Sequence, residues 1–161
     1  KPEMEIERKF LVDRFPEGLP LLKEAVVYQG YLCTHPTVRI RSTETADGVS
    51  YVLCFKGKGT IARQEIEMDL TKEQFFQLKD LLPAPMIRKD YKVYALPDGH
   101  KLECSLVDQG SPSEFMFAEV EFTSLEEAEA FVPDEYLSHE VTSDPSWSMG
   151  SYWEKYRMGG K

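Results

Sequence analysis

Acidic and basic side chains recur two positions apart in several short stretches of this sequence, the spacing that puts them on one face of a β-strand. In the first stretch Glu5, Glu7, Lys9 and Leu11 share a face, with Ile6, Arg8, Phe10 and Val12 on the other. Arg39 and Arg41 alternate with Val38 and Ile40, and Arg63, Glu65, Glu67 and Asp69 alternate with Ala62, Gln64, Ile66 and Met68. Glu119 and Glu121 alternate with Ala118, Val120 and Phe122, while Lys56 and Lys89 add single charges on two further stretches. Carboxylates two apart on a strand stand about 6.5–7 Å apart at Cα, close enough to share a cation or to hold neighbouring ones. Guanidinium groups grip phosphate oxygens in pairs.

A charged face that simply meets water would account for any one of these strands. Together they resist that account, because the faces hold almost only Glu, Arg and Lys and are sorted by sign. Like charges side by side on a sheet repel, so such grouping is costly unless a ligand supplies the counter-charges. Lys9, Arg39, Arg41, Lys56, Arg63 and Lys89 balance Glu5, Glu7, Glu65, Glu67, Glu119 and Glu121. Burying so many charges dry would be prohibitive. A ligand that itself carries both signs, such as a triphosphate with Mg2+ or Mn2+, removes the cost.

The elements that must carry these faces are short. Alternation predicts strands at about 4–12, 26–33, 37–43, 49–56, 61–69, 87–95, 100–107 and 115–123. Asp47-Gly48 and Asp98-Gly99 mark turns between them, and Gly57 with Gly59 breaks the chain after Lys56. Thr71 with Gln74, and Ser124 with Glu127, have the spacing of helix capping boxes; Pro83 and Pro133 stop the helices that follow. Shorter helices are expected near 17–24 and 151–157. The fold class is mainly β (α+β), antiparallel, with a few peripheral helices. Eight strands suit a barrel whose lumen holds one small ligand, a wet, charged tunnel with the apolar faces packed outward.

Composition narrows the classes. At 161 residues, with 42% hydrophobic and 29% charged side chains, the chain is of ordinary globular make-up. No apolar run approaches the roughly 18 residues of a membrane span. The first ten residues, six of them charged, do not read as a secretory leader. A net charge of −9 argues against a nucleic-acid-coating surface. Cys33, Cys54 and Cys104 are odd in number and share no metal-ligand spacing, as expected of reduced thiols in a cytoplasmic protein. Cys54 and Cys104 are read as core residues. His35, His100 and His139 are scattered, Trp147 and Trp153 are read as sealing the barrel, and Glu140 is placed near the tunnel mouth. No Ser/His/Asp order, P-loop or GxGxxG supports triad or Walker-type chemistry.

The run Glu5-Ile6-Glu7-Arg8-Lys9 matches the ExExK motif of the CYTH, or triphosphate tunnel, superfamily. Val38-Arg39-Ile40-Arg41, Phe55-Lys56, Arg63-Gln64-Glu65-Ile66-Glu67, Lys89 and Glu119-Val120-Glu121-Phe122 follow in the family's order. With Tyr28-Gln29-Gly30-Tyr31-Leu32, the chain resembles the short bacterial tripolyphosphatase, adenylate cyclase-like branch. Two departures stand out: Lys89-Asp90-Tyr91 where the branch often carries Lys-x-Arg, and Glu103-Cys104-Ser105 where it carries Glu-x-Asp. Lys92 has the opposite parity and would replace the missing base only through a bulge.

The resemblance implies a closed eight-stranded antiparallel β-barrel, one tunnel domain over 4–161, with residues 1–3 an addition ahead of Met4. It further implies divalent-metal-dependent hydrolysis of inorganic tripolyphosphate or an organic triphosphate, with two Mg2+ or Mn2+ per site. Lys9, Arg39, Arg41, Lys56 and Arg63 would bind the phosphates, and Glu5, Glu7, Glu119 and Glu121 the metals. Glu65 and Glu67 are either further metal ligands or partners that hold the arginines. Glu5, Glu7 and Lys89 would act in catalysis, the carboxylates through a metal that activates water and Lys89 by positioning that water. The partner is thus a small-molecule triphosphate, with no nucleic acid or membrane and room for a homodimer. Two other readings stay open: a class IV-type adenylate cyclase making cyclic AMP from ATP, and a non-catalytic polyphosphate or nucleotide binder.

Overall fold

The computed structural model describes residues 4–159, so the expected addition at 1–3 lies outside the described residues. Its frame is a sheet of β1 (Met4–Val12), β2 (Leu21–Thr34), β3 (Thr37–Thr45), β4 (Gly48–Lys56), β5 (Ala62–Asp69), β6 (Ile87–Ala95), β7 (Lys101–Val107) and β8 (Phe115–Phe122). Every pairing is antiparallel, in the order β5-β4-β3-β2-β6-β7-β8-β1. Met4 to Ile6 then pair with Gln64 to Ala62 and close the barrel. A short β9 (His139–Glu140) adds to β1 beside Phe10 and Leu11.

Among the described residues three α-helices accompany the barrel: α1 (Lys72–Lys79), α2 (Leu125–Ala130) and α3 (Met149–Tyr156), the last closing one end of its interior. The Thr71 hydroxyl accepts from Gln74 N–H while Gln74 caps Thr71 in return, and Ser124 accepts from Glu127 N–H. Outward faces of β1, β7 and β8 bury Phe10, Leu102, Cys104, Ala118 and Val120 under α2 and the 131–137 segment. A second cluster packs Trp153, Tyr152 and Met149 of α3 against Tyr31, Ile87, Val107 and Phe117. At Gly59 the backbone is left-handed (φ 132°), and a Cβ there would stand 2.1 Å from the Ala62 carbonyl oxygen. Only glycine lets the β4–β5 turn fold back this tightly.

The helix expected near 17–24 does not form. Leu21 to Thr34 make one long strand, in which Leu21 pairs with Tyr94, Lys23 with Val93 and Ala25 with Tyr91. The ladder with β6, a long-range partner, overrides the local helical look of Leu21-Leu22-Lys23-Glu24.

Candidate functional site

The inward faces enclose a cavity of about 1070 Å3, lined by all six bases and all six glutamates of the expected charge balance, but not by Asp69. That volume lies just beyond the common range of small-molecule sites, roughly 300–1000 Å3. Its walls differ in sign. On β3, β4 and β5, Arg39, Arg41, Lys56 and Arg63 are interleaved with Glu65 and Glu67. On β1, β7 and β8, carboxylates oppose carboxylates: Glu7 stands directly opposite Glu121, and Glu103 opposite Glu119.

Cations on the first wall are already engaged. The Lys56 ammonium donates to Glu5 at 2.9 Å and lies 3.6 Å from Glu65; Arg63 reaches Glu5 at 4.0 Å, and Arg41 reaches Glu67 at 3.4 Å. Burial pushes the Glu5 carboxyl up, but Lys56 outweighs this and holds it at about 2. Arg39 is buried, with its guanidinium 3.9 Å from Cys54 Sγ, and its Nε has no hydrogen-bond partner. The sulfur of Cys54 and the carboxylates of Glu65 and Glu67 lie within 4.8 Å of one another, but Lys56 and Arg41 sit on those two carboxylates. Cys54 is buried, as expected of a core residue, but its sulfur lies among charged groups and not in an apolar cluster. It shares the parity of Lys56, two positions on, and faces the tunnel among charges.

The second wall has the opposite electrostatics. Burial and then the neighbouring Glu119 carboxylate push Glu7 well above the ordinary carboxylate range. Burial, Glu119 and Glu121 raise Glu103 to about 7, although the Tyr91 hydroxyl donates to it at 2.8 Å. Repulsion among hard oxygen donors marks a patch suited to a divalent cation. Glu5 and Glu7 share a face of β1, yet the structure divides them between the two walls.

Two lysines flank these carboxylates: Lys9 of β1 stands directly opposite Glu119, and Lys89 lies on β6. Burial, then Arg39 and Arg41, lower Lys89 to about 7. The Lys9 ammonium donates to the Trp147 carbonyl at 2.7 Å and lies 4.1 Å from the Phe117 ring centroid, while that of Lys89 lies 5.8 Å from the same ring.

No family model matches the chain. An inorganic triphosphatase from Nitrosomonas europaea is 39% identical over 140 residues, spanning 87% of this chain and 90% of the relative. The chain belongs to the triphosphate tunnel superfamily, in its inorganic triphosphatase branch. The crystal structure of an inorganic triphosphatase superposes with a TM-score of 0.65 at 33% identity, covering 92% of this chain and 93% of that one. A Hippeastrum protein with a dominant triphosphatase activity shares the fold alone, at TM-score 0.52 and 16% identity over 80% of this chain and 83% of its own.

Against this family frame several placements sharpen. Lys92 stays outside the tunnel, 3.5 Å from Glu24 and over the Phe15 ring, so it does not replace the missing base at position 91. Glu140 does not reach the mouth; Arg8 clasps it in a bidentate pair at 2.7 and 2.8 Å on the outer face. Trp153 seals the barrel against Tyr31, whereas Trp147 is partly exposed and contributes its carbonyl to Lys9. Tyr31, Tyr91, Glu103 and Cys54 also line or face the tunnel, although sequence reasoning left them off the site. Their signal was parity alone, since each lies two residues from an inward position. Gln29, fully buried, donates its amide to the Tyr31 hydroxyl at 3.1 Å.

Proposed function

We propose that this chain hydrolyses a triphosphate, with inorganic tripolyphosphate the best fit, in a reaction that needs a divalent metal, Mg2+ or Mn2+, with room for two ions. One observation carries the reading: a single cavity whose one wall is basic and whose other wall sets carboxylate against carboxylate. Polyphosphate answers the first wall and a divalent cation the second. The 39% identity to an inorganic triphosphatase supports the same activity.

Arg39, Arg41, Lys56 and Arg63, with Lys9, bind the phosphates, and Glu5, Glu65 and Glu67 hold those cations in place before substrate arrives. Such preorganised charge is worth most in a water-poor site, where the transferring phosphoryl group spreads its negative charge over three oxygens. Glu7, Glu119 and Glu121 form the metal-facing patch, and Glu5 joins it to the basic wall. A divalent cation bound there supplies Lewis-acid polarisation and lowers the pKa of the attacking water. Lys89, charged once the phosphates are bound, positions that water, and the water's proton passes to a phosphate oxygen. One P–O bond of the anhydride breaks as the water oxygen joins phosphorus.

The tunnel favours an inorganic over a nucleotide substrate. Phe117 and Tyr31 are both buried, so neither offers a face to a base. No described helix is long and apolar enough to cross a membrane. The three unpaired cysteines suit a cytoplasmic setting, and residues 4–161 act as one tunnel unit. Phosphate release from tripolyphosphate, thiamine triphosphate and ATP, each with Mg2+, Mn2+ or Co2+, tests the reading. Metal-dependent release from tripolyphosphate is expected. Cyclic AMP from ATP with tripolyphosphate untouched would make it a cyclase, and tight triphosphate binding without release would make it a binder.

A further inference from the structure

The two departures from the branch pattern, Tyr91 and Ser105, are not independent: they stand directly opposite each other on β6 and β7. Across an antiparallel pair a long side chain reaches its diagonal neighbour as well as its direct partner. Ser105 is small and buried, and Glu103, two residues back on the same strand, is the diagonal neighbour of Tyr91. The phenol takes that diagonal and donates to Glu103 Oε1 at 2.8 Å. Glu103 in turn stands opposite Glu119, with Glu121 also beside it. Without a donor, a carboxylate between two others would swing away from them.

We infer that Tyr91 is a positioning residue: its hydroxyl fixes the Glu103 carboxylate beside Glu119 and Glu121, so that Glu103 completes the patch that faces the divalent cation. The inference rests on the reading of Glu7, Glu119 and Glu121 as metal-facing. A base at position 91 would have neutralised Glu103 instead, so Tyr91 leaves the wall one negative charge richer toward a cation. Residues that orient a ligand without touching the metal typically change its affinity by about 10–100-fold.

Direct Mn2+ binding to the full chain, followed by electron paramagnetic resonance with no substrate present, tests both levels. Tyr91→Phe keeps the ring and removes only the donor; it should weaken Mn2+ binding about tenfold. Glu103→Gln should weaken it at least as much, and the double variant no further, because the two residues act through one contact. Metal-free tripolyphosphate binding by Tyr91→Phe, read by calorimetry, should stay at the wild-type value, whereas a tyrosine that only filled space would lower both affinities together. Unchanged Mn2+ binding in Tyr91→Phe, or additive losses in the double variant, would overturn the inference while Glu119→Gln still lost the metal. If Glu119→Gln binds Mn2+ like the wild type, the reading of the patch falls and the role of Tyr91 with it.

Discussion

The Lys9 ammonium and the Trp147 carbonyl are joined by a 2.7 Å hydrogen bond that ties a tunnel lysine to the segment entering α3. Val141 N–H donates to the Lys9 carbonyl, and Lys9 N–H donates to the Thr142 hydroxyl, so the same segment also holds the lysine's backbone. A polyanion that draws the ammonium to itself leaves the Trp147 carbonyl without that donor.

Trp147 should therefore report binding. Trp153 is buried against Tyr31, while Trp147 is partly exposed and packs on Phe115. In a Trp153→Phe background, metal-free tripolyphosphate should shift the remaining tryptophan emission, and Lys9→Met should abolish the shift. An unchanged spectrum at saturation would mean that Lys9 stays on the carbonyl.

The acidic wall makes stability depend on pH and metal together. Glu7 and Glu103 hold protons more tightly in the folded than in the unfolded chain. Such a group stabilises the fold below its unfolded pKa and loses that contribution as pH rises through its folded value. For Glu103 the window runs from 4.5 to about 7. Glu5 and Lys89 act with the opposite sign, but the window of Glu5, 4.5 down to about 2, lies below this range and that of Lys89 opens only at about 7. Metal-free protein should melt a few degrees lower at about pH 7.5 than at about pH 5, and Mg2+ should raise Tm more at the higher pH. Scanning calorimetry with and without chelator measures both.

Strands β1, β3, β5 and β8 were legible because charged and apolar residues alternate along them, and parity there chose most of the inward charges. What parity could not show was which strand each inward residue would meet. Glu5 and Glu7 look equivalent along β1, yet Glu5 falls opposite Arg63 of β5 and Glu7 opposite Glu121 of β8. Closing the barrel with a stagger decides this, and stagger is a property of the whole sheet. The charged surroundings of Cys54 were missed for a simpler reason: its sulfur counts as apolar, but its position follows Lys56. The segment at Leu21 and the tie from Lys9 to Trp147 depend on contacts distant in sequence, which no local pattern records.

Arg8 offers a contrast with the tunnel arginines, from the other face of β1. Its guanidinium donates to Glu140 twice and to the carbonyls of Ala128 and Phe131, pinning β9 and the end of α2 to the barrel. Arg8→Met should cost about 2–3 kcal/mol in urea unfolding, because two carbonyls and a carboxylate lose their donor. Turnover per folded molecule should be unchanged. A large fall in kcat at full foldedness would place Arg8 in the chemistry instead.

Lys89 gives the clearest pH signature of binding. Burial, Arg39 and Arg41 bring it down from 10.5 to about 7, so above neutrality the free protein holds much of it as the uncharged amine. A bound triphosphate favours the ammonium and raises the pKa, so binding above about pH 7 must take up a proton. Calorimetry of metal-free tripolyphosphate in two buffers of different ionisation enthalpy counts the protons. Wild type should take up more than Lys89→Arg, whose charge is fixed, and the excess should vanish well below pH 7, where Lys89 is already charged. Its affinity should also fall faster than that of the arginine variant as pH rises, by at most about tenfold per pH unit for one group. Equal proton uptake in the two proteins would show that Lys89 does not change charge when the phosphates bind.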